Sequence, residues 1–172
     1  YIACYDIRQQ CSGFIYGLQM ADAFIKTGLY KRILLVGAEL QSHSLDFSTR
    51  GRDVTVLFGD GAGAFVMGPG ESDNATDGVI YTECHANGDG VDALKLTLFE
   101  TRKLEPLKFE AKDGEENSPI HPQMNGKKVF FNAVRKMARV TKKILEETGL
   151  TWDEIDWFVP HQSNLRINEK VG

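Results

Sequence analysis

Apolar positions along the 172-residue chain fall into runs whose spacing predicts the elements they form. Tyr1 to Ile7 (Tyr-Ile-Ala-Cys-Tyr-Asp-Ile) is short, apolar and rich in strand formers, which predicts a buried strand. Phe14, Leu18, Ala21 and Ile25 then recur at steps of three and four, the spacing of one helix face, and Gly28 supplies the stop. Arg32 to Ala38 is a mostly apolar run of the kind found in parallel strands covered on both faces, so strand, helix and strand read as a βαβ unit. Residues 39 to 53 are largely polar and read as a surface loop. Apolar character resumes at Val54 to Phe58, breaks at Gly59-Asp60-Gly61-Ala62-Gly63, and returns at Ala64 to Met67, which predicts glycines that let the backbone turn tightly or approach a neighbouring segment between two strands.

The second half of the chain is more polar. Residues 69 to 77 have the composition of a linker and predict a half-domain boundary, with one half at 1–70 and the other at 71–172. A strand candidate at Gly78 to His85 precedes a long polar excursion, Asn87 to Asn125, that carries Pro106, Pro119 and Pro122. From Lys127 to Thr148 the helical period is clear, with Phe130, Ala133, Val134, Met137 and Ile144 on one face. Thr151-Trp152-Asp153-Glu154 has the capping-box pattern, and Asp156 to Val159 reads as a strand ended by Pro160.

Composition narrows the function classes. A 42% hydrophobic content is enough for a core, and no run reaches the ~18 apolar residues that suggest a membrane span, so a soluble protein is expected. A net charge of −4 with both signs interspersed gives nucleic-acid binding no support. Three irregularly spaced cysteines argue against a disulfide framework or a zinc site and favour a reducing, cytoplasmic setting. The chain opens without Met or a leader and closes inside an apparent helix, so both ends are expected to be cuts. The glycine-rich break lacks the Lys-Ser/Thr of a phosphate-binding loop and the spacing of a dinucleotide fingerprint. Lys128, Arg135, Lys136, Arg139, Lys142 and Lys143 form a basic set that is either a solvated face or a landing site for an acidic partner or phosphates.

Two stretches carry candidate chemistry. Cys11 stands at the expected strand-to-helix turn, where unpaired N–H groups and the helix dipole favour a thiolate, and small Ser12 and Gly13 would let a substrate approach. The plainer alternative is a small buried hydrophobe, which is the expectation for Cys4 and Cys84. His161 falls just past a predicted strand end, where ligands sit in open α/β sheets. Alone it could be a hydrogen-bonded structural residue; with Cys11 it completes the minimal kit for thioester chemistry. His43, His85 and His121 have no comparable setting, and the local signature of a papain-type protease is absent around Cys11.

Three blocks, Cys11-Ser12-Gly13-Phe14, Phe58 to Ala64, and Val159-Pro160-His161-Gln162-Ser163-Asn164-Leu165-Arg166-Ile167, resemble signatures of β-ketoacyl-acyl carrier protein synthase III, of the thiolase superfamily. The resemblance implies part of a thiolase-like α/β fold, layered with mixed sheets, and a Cys-His-Asn site in which Cys11 is the nucleophile and His161 the histidine. The asparagine would come from a later block with no counterpart before Gly172. It further implies acyl-coenzyme A as a substrate rather than a cofactor, no metal, malonyl-acyl carrier protein as second substrate, and a homodimer. Arg50 would lie near the coenzyme A adenine, Gly126 and Phe130 along the pantetheine tunnel, and Asn164 would hydrogen-bond in the same region. Arg166 and Lys128 would meet the carrier protein, while Lys127 and Phe131 differ from the residues expected at their places. The same Cys-His pair would also suit a related acyltransferase of specialised metabolism, and the fold alone would suit a non-catalytic carrier-protein or coenzyme A binding module.

Overall fold

A computed structural model describes residues 1–70, 77–96 and 121–172. These form two compact units, one built from 1–39, 61–86 and 142–157, the other from 40–60, 87–141 and 158–172.

In the first unit the predicted helix forms as α1, Gly13–Lys26, and ends where Gly28 turns into the left-handed region at φ 74°. Strand β1, Ile33–Glu39, pairs antiparallel with β2, Gly61–Met67, in register from Ile33 opposite Met67 to Glu39 opposite Gly61. α1 packs on this ribbon through its smallest residues: Gly17 and Ala21 are buried, and a Cβ at Gly17 would fall 2.6 Å from Leu35 Cδ1. Phe14 adds a ring contact with Phe65 at 5.2 Å between centroids.

Several predicted strands are absent, for a common reason. A strand needs a neighbour to receive its backbone N–H and C=O groups, and no local pattern supplies one. Tyr1 to Ile7 is irregular and exposed, held by side chains instead: the Tyr5 ring lies 5.5 Å from Phe24, and its hydroxyl is 2.9 Å from that of Tyr30. The βαβ unit is therefore not formed, because β1 pairs with a later antiparallel strand. Cys4 is exposed rather than buried, while Cys84 is half-buried and burial pushes its thiol pKa up. Val54 to Phe58 is not a strand; Arg52–Thr55 forms a single helical turn, α2, in the second unit. Gly61 and Gly63 do not turn the chain but lie within β2, Gly63 facing Gly37 across the ladder.

Gly78 to His85 is likewise unpaired as a strand. Side chains fasten it: Lys26 donates to Val79 O at 3.0 Å, and Gln19 to Thr82 O at 3.3 Å. The Glu83 carboxylate receives Lys143, the Tyr81 hydroxyl and His85, and Lys143 first among these holds its pKa below the usual range. Asp156 to Val159 is irregular too. The capping box forms as predicted, with Thr151 and Glu154 bonded reciprocally around the turn Trp152–Glu154.

In the second unit β3, Leu94–Lys95, pairs antiparallel with β4, Gln123–Met124, closing the described ends of the polar excursion. Residues 97–120 of that excursion and 71–76 of the predicted linker lie outside the described residues. Helix α3, Gly126–Thr148, of which residues 126–141 belong to this unit and 142–148 to the first, matches the predicted helix to within a residue. A short helix α4, Leu165–Val171, starts at Asn164 and buries Ile167 and Val171. Among the described residues no helix is long and apolar enough to cross a membrane.

Candidate active site

Cys11 lies in the turn directly before α1. The Gly13 N–H donates to Gln10 O at 2.8 Å, and Ser12 O accepts from Ile15 and Tyr16, so Ser12 is the N-cap and Cys11 precedes it by one residue. Its thiol is free of any disulfide, and the residue is exposed, which removes the reading of Cys11 as a core hydrophobe.

His161 belongs to the other unit, in the irregular stretch between Pro160 and α4. It is exposed. Three residues on, the Asn164 side chain caps α4 by accepting the Arg166 N–H at 2.9 Å, which sets the direction in which the chain leaves the histidine. Arg166 follows on the exposed side of the first turn of α4.

The other predicted contacts cluster on α3. Gly126 is its first residue, and the exposed Lys128 donates its N–H to Asn125 Oδ1 at 3.0 Å. Phe130, one turn after Gly126, packs edge-on against Phe131 at 5.8 Å. Both rings line a cavity of about 490 Å³ together with Asn132, Val134, Arg135 and Lys170.

Arg50 sits in a tight turn, Thr49–Gly51, and is the predicted site residue with the most fully defined support. Its Nε donates to Asp46 Oδ2 at 2.8 Å, and the Ser48 N–H donates to Asp46 Oδ1 at 3.0 Å. Hydrogen bonds from Ser48, then from Arg50, lower the Asp46 pKa to about 2. The Asp46 carbonyl accepts the Thr55 hydroxyl at 2.6 Å, closing the loop onto α2. Gly51 is required by crowding, since a Cβ there would fall 2.0 Å from Asp46 O. Asp60 closes the segment's other end: its Oδ1 accepts the N–H groups of Gln41 at 2.6 Å and Ser42 at 2.8 Å. Ser42, then Gln41, hold that carboxyl below its ordinary pKa.

Sequence reasoning overlooked both aspartates. Signals for them existed: Asp46 precedes an amide donor by two residues and an arginine by four, the spacings of an Asx turn and of a helical ion pair. Among the described residues no cluster of His, Cys, Asp and Glu could hold a metal ion.

A family model for 3-oxoacyl-[acyl-carrier-protein] synthase III matches residues 5–88. The β-ketoacyl-[acyl-carrier-protein] synthase III of Granulibacter bethesdensis is 40% identical over 172 residues, covering 98% of this chain and 48% of the relative. That of Clostridium acetobutylicum is 42% identical over 167 residues, with the same 48% of the relative covered. The chain thus spans about half the length of the curated relatives it matches. Among solved structures, the Aquifex aeolicus 3-oxoacyl-[acyl-carrier-protein] synthase III superposes with a TM-score of 0.78 at 34% identity, over 97% of this chain and 46% of that one. The priming β-ketosynthase of the R1128 polyketide pathway superposes at 0.71 with 28% identity, also over 97% of this chain and 46% of that one.

Proposed function

We propose a reaction on the premise that the chain belongs to the 3-oxoacyl-[acyl-carrier-protein] synthase III family and has part of its thiolase-like α/β fold. The protein that contains it condenses an acyl-coenzyme A starter with malonyl-acyl carrier protein, the first condensation of fatty acid synthesis. The observation that carries this reading is the exposed Cys11 thiol in the turn before α1, in a chain aligned almost end to end with synthases of that name.

The Cys11 thiolate attacks the thioester carbonyl, backbone N–H groups at the turn stabilise the tetrahedral oxyanion, and its collapse breaks the C–S bond to coenzyme A, which leaves as a thiolate and takes a proton from solvent. Malonyl-acyl carrier protein then loses CO2, and the electron pair of the broken C–C bond becomes an enolate. His161 stabilises that enolate oxygen by hydrogen bonding. The enolate carbon attacks the acyl-cysteine carbonyl, the C–S bond breaks, and the products are 3-oxoacyl-acyl carrier protein and a regenerated thiolate. These steps balance with coenzyme A as a substrate fragment and call for neither metal nor further cofactor.

The remaining contacts fit the same reading. Arg50 meets the coenzyme A adenine, Gly126, Phe130 and Asn164 the pantetheine arm, and Lys128 and Arg166 the acidic carrier protein. Residues 1–70 form the later part of one half-domain and 71–172 the earlier part of the next. The enzyme works as a cytoplasmic homodimer, on neither nucleic acid nor membrane. Likeness to a polyketide priming ketosynthase supports a second reading, in which the same acyl-cysteine serves an acceptor of specialised metabolism.

Incubating the protein with acetyl-coenzyme A and mapping adducts by peptide mass spectrometry tests the shared step. Acetyl on Cys11 is the expected result; an unmodified Cys11, or acetyl only on Cys4 or Cys84, overturns it. Adding malonyl-acyl carrier protein afterwards separates the two readings: release of 3-oxoacyl-acyl carrier protein supports the first, and an acyl-cysteine that persists supports the second.

A further inference from the structure

We infer that Asp46 is a positioning residue that presents the Arg50 guanidinium to the nucleotide end of coenzyme A. The inference rests on the reading of Arg50 as an adenine contact. The carboxylate divides its two oxygens: Oδ1 takes the Ser48 N–H and so shapes the turn, and Oδ2 takes Arg50 Nε and so orients the side chain. One residue thereby ties the backbone that carries Arg50 to the plane of its guanidinium. Asp46 is itself well seated, with its side chain 12% exposed, its carbonyl bonded to the Thr55 hydroxyl and pressed against Gly51. Arg50 is the more open partner at 39% exposed.

The test compares coenzyme A with pantetheine, which lacks the nucleotide, by titration calorimetry on the whole protein. Asp46→Ala is expected to weaken coenzyme A binding by roughly tenfold, the scale of a lost charge-assisted hydrogen bond, and to leave pantetheine binding unchanged. Asp46→Asn keeps one oxygen for the Ser48 amide and is expected to fall between wild type and Asp46→Ala; it also serves if the alanine variant does not fold. In the double variant, Asp46→Ala is expected to add nothing to Arg50→Ala. If Arg50→Ala leaves coenzyme A binding intact, the adenine-contact reading itself fails. If Arg50→Ala weakens binding but neither Asp46 variant does, that reading stands and the positioning role is overturned. Equal losses for coenzyme A and pantetheine would show a merely structural residue and overturn it as well.

Discussion

The turn that carries Cys11 and the loop that carries Arg50 are built in opposite ways. Around Cys11 the backbone does the work: a Gly13–Gln10 bond and the first bonds of α1 set the turn, and the Ser12 side chain makes no cap hydrogen bond. Around Arg50 side chains do it, with Asp46 and Asp60 together receiving four hydrogen bonds from Ser48, Arg50, Gln41 and Ser42. A backbone-built turn leaves its side chain uncommitted, which suits a nucleophile that must be approached from several directions. A carboxylate-built loop fixes its arginine, which suits recognition of a rigid ligand.

Removing the nucleophile sharpens this contrast most. Cys11→Ser is expected to keep the fold, because the turn depends on backbone bonds, while acyl transfer falls by roughly 10³-fold or more, as when other covalent enzymes lose their nucleophile. Single-turnover assays with acetyl-coenzyme A, read beside circular dichroism, check both halves. A variant that keeps its rate removes Cys11 from the reaction; one that unfolds contradicts a backbone-built turn.

Gly51→Ala attacks the other region. Its Cβ would lie 2.0 Å from the Asp46 carbonyl oxygen, a backbone atom that cannot swing aside. A loss of about 1–3 kcal/mol is expected from overpacking, readable as a lower midpoint in urea, together with weaker coenzyme A binding. Gly17→Ala offers a calibrating comparison. There the clash is with the mobile end of Leu35, and the helix regains about 0.8–1.0 kcal/mol of propensity. The net cost should be the smaller of the two.

How much of this the sequence revealed depended on how local the cause was. The periodicity of α1 and α3, the stop at Gly28 and the capping box at Thr151 are each determined within a few residues, and all were legible. Strands were not, because Tyr1 to Ile7, Gly78 to His85 and Asp156 to Val159 have strand composition but their pairing depends on a neighbour. For the same reason Arg32 to Ala38 and Ala64 to Met67 were both recognised as strands while their antiparallel pairing with each other was not. In the candidate site the three blocks point to Cys11 and His161, whereas Asp46 and Asp60 act on backbone amides and, for Asp46, on Arg50, bonds that a motif of reactive groups does not report.

Acid titration probes the carboxylate-built loop with a gentler effect. Asp46 has a folded pKa of about 2, against about 3.9 for an unperturbed aspartate. A depressed pKa means that its stabilisation is fully present above the unfolded value and is lost as pH falls through about 2. Coenzyme A binding should therefore show no Asp46-dependent change between pH 5 and 8, and the difference in stability between wild type and Asp46→Asn should shrink only in strong acid. A difference that already shrinks near neutrality would mean that Ser48 and Arg50 do not hold the carboxylate as described.

The smallest expected effect is the one that separates the two regions most cleanly. Replacing a serine N-cap by alanine ordinarily costs about 0.5–2 kcal/mol, because the hydroxyl satisfies an open N–H of the first turn. Ser12 occupies that position in α1 but its side chain makes no such bond, so Ser12→Ala should change stability by no more than about 0.5 kcal/mol. The residue is exposed and adjoins Cys11, so the same variant also asks whether the hydroxyl matters to acylation. An unchanged melting temperature with an unchanged acylation rate is the expected outcome. A full cap-sized loss would mean that a side chain, not the backbone, builds the cysteine turn, and the contrast with the Arg50 loop would collapse.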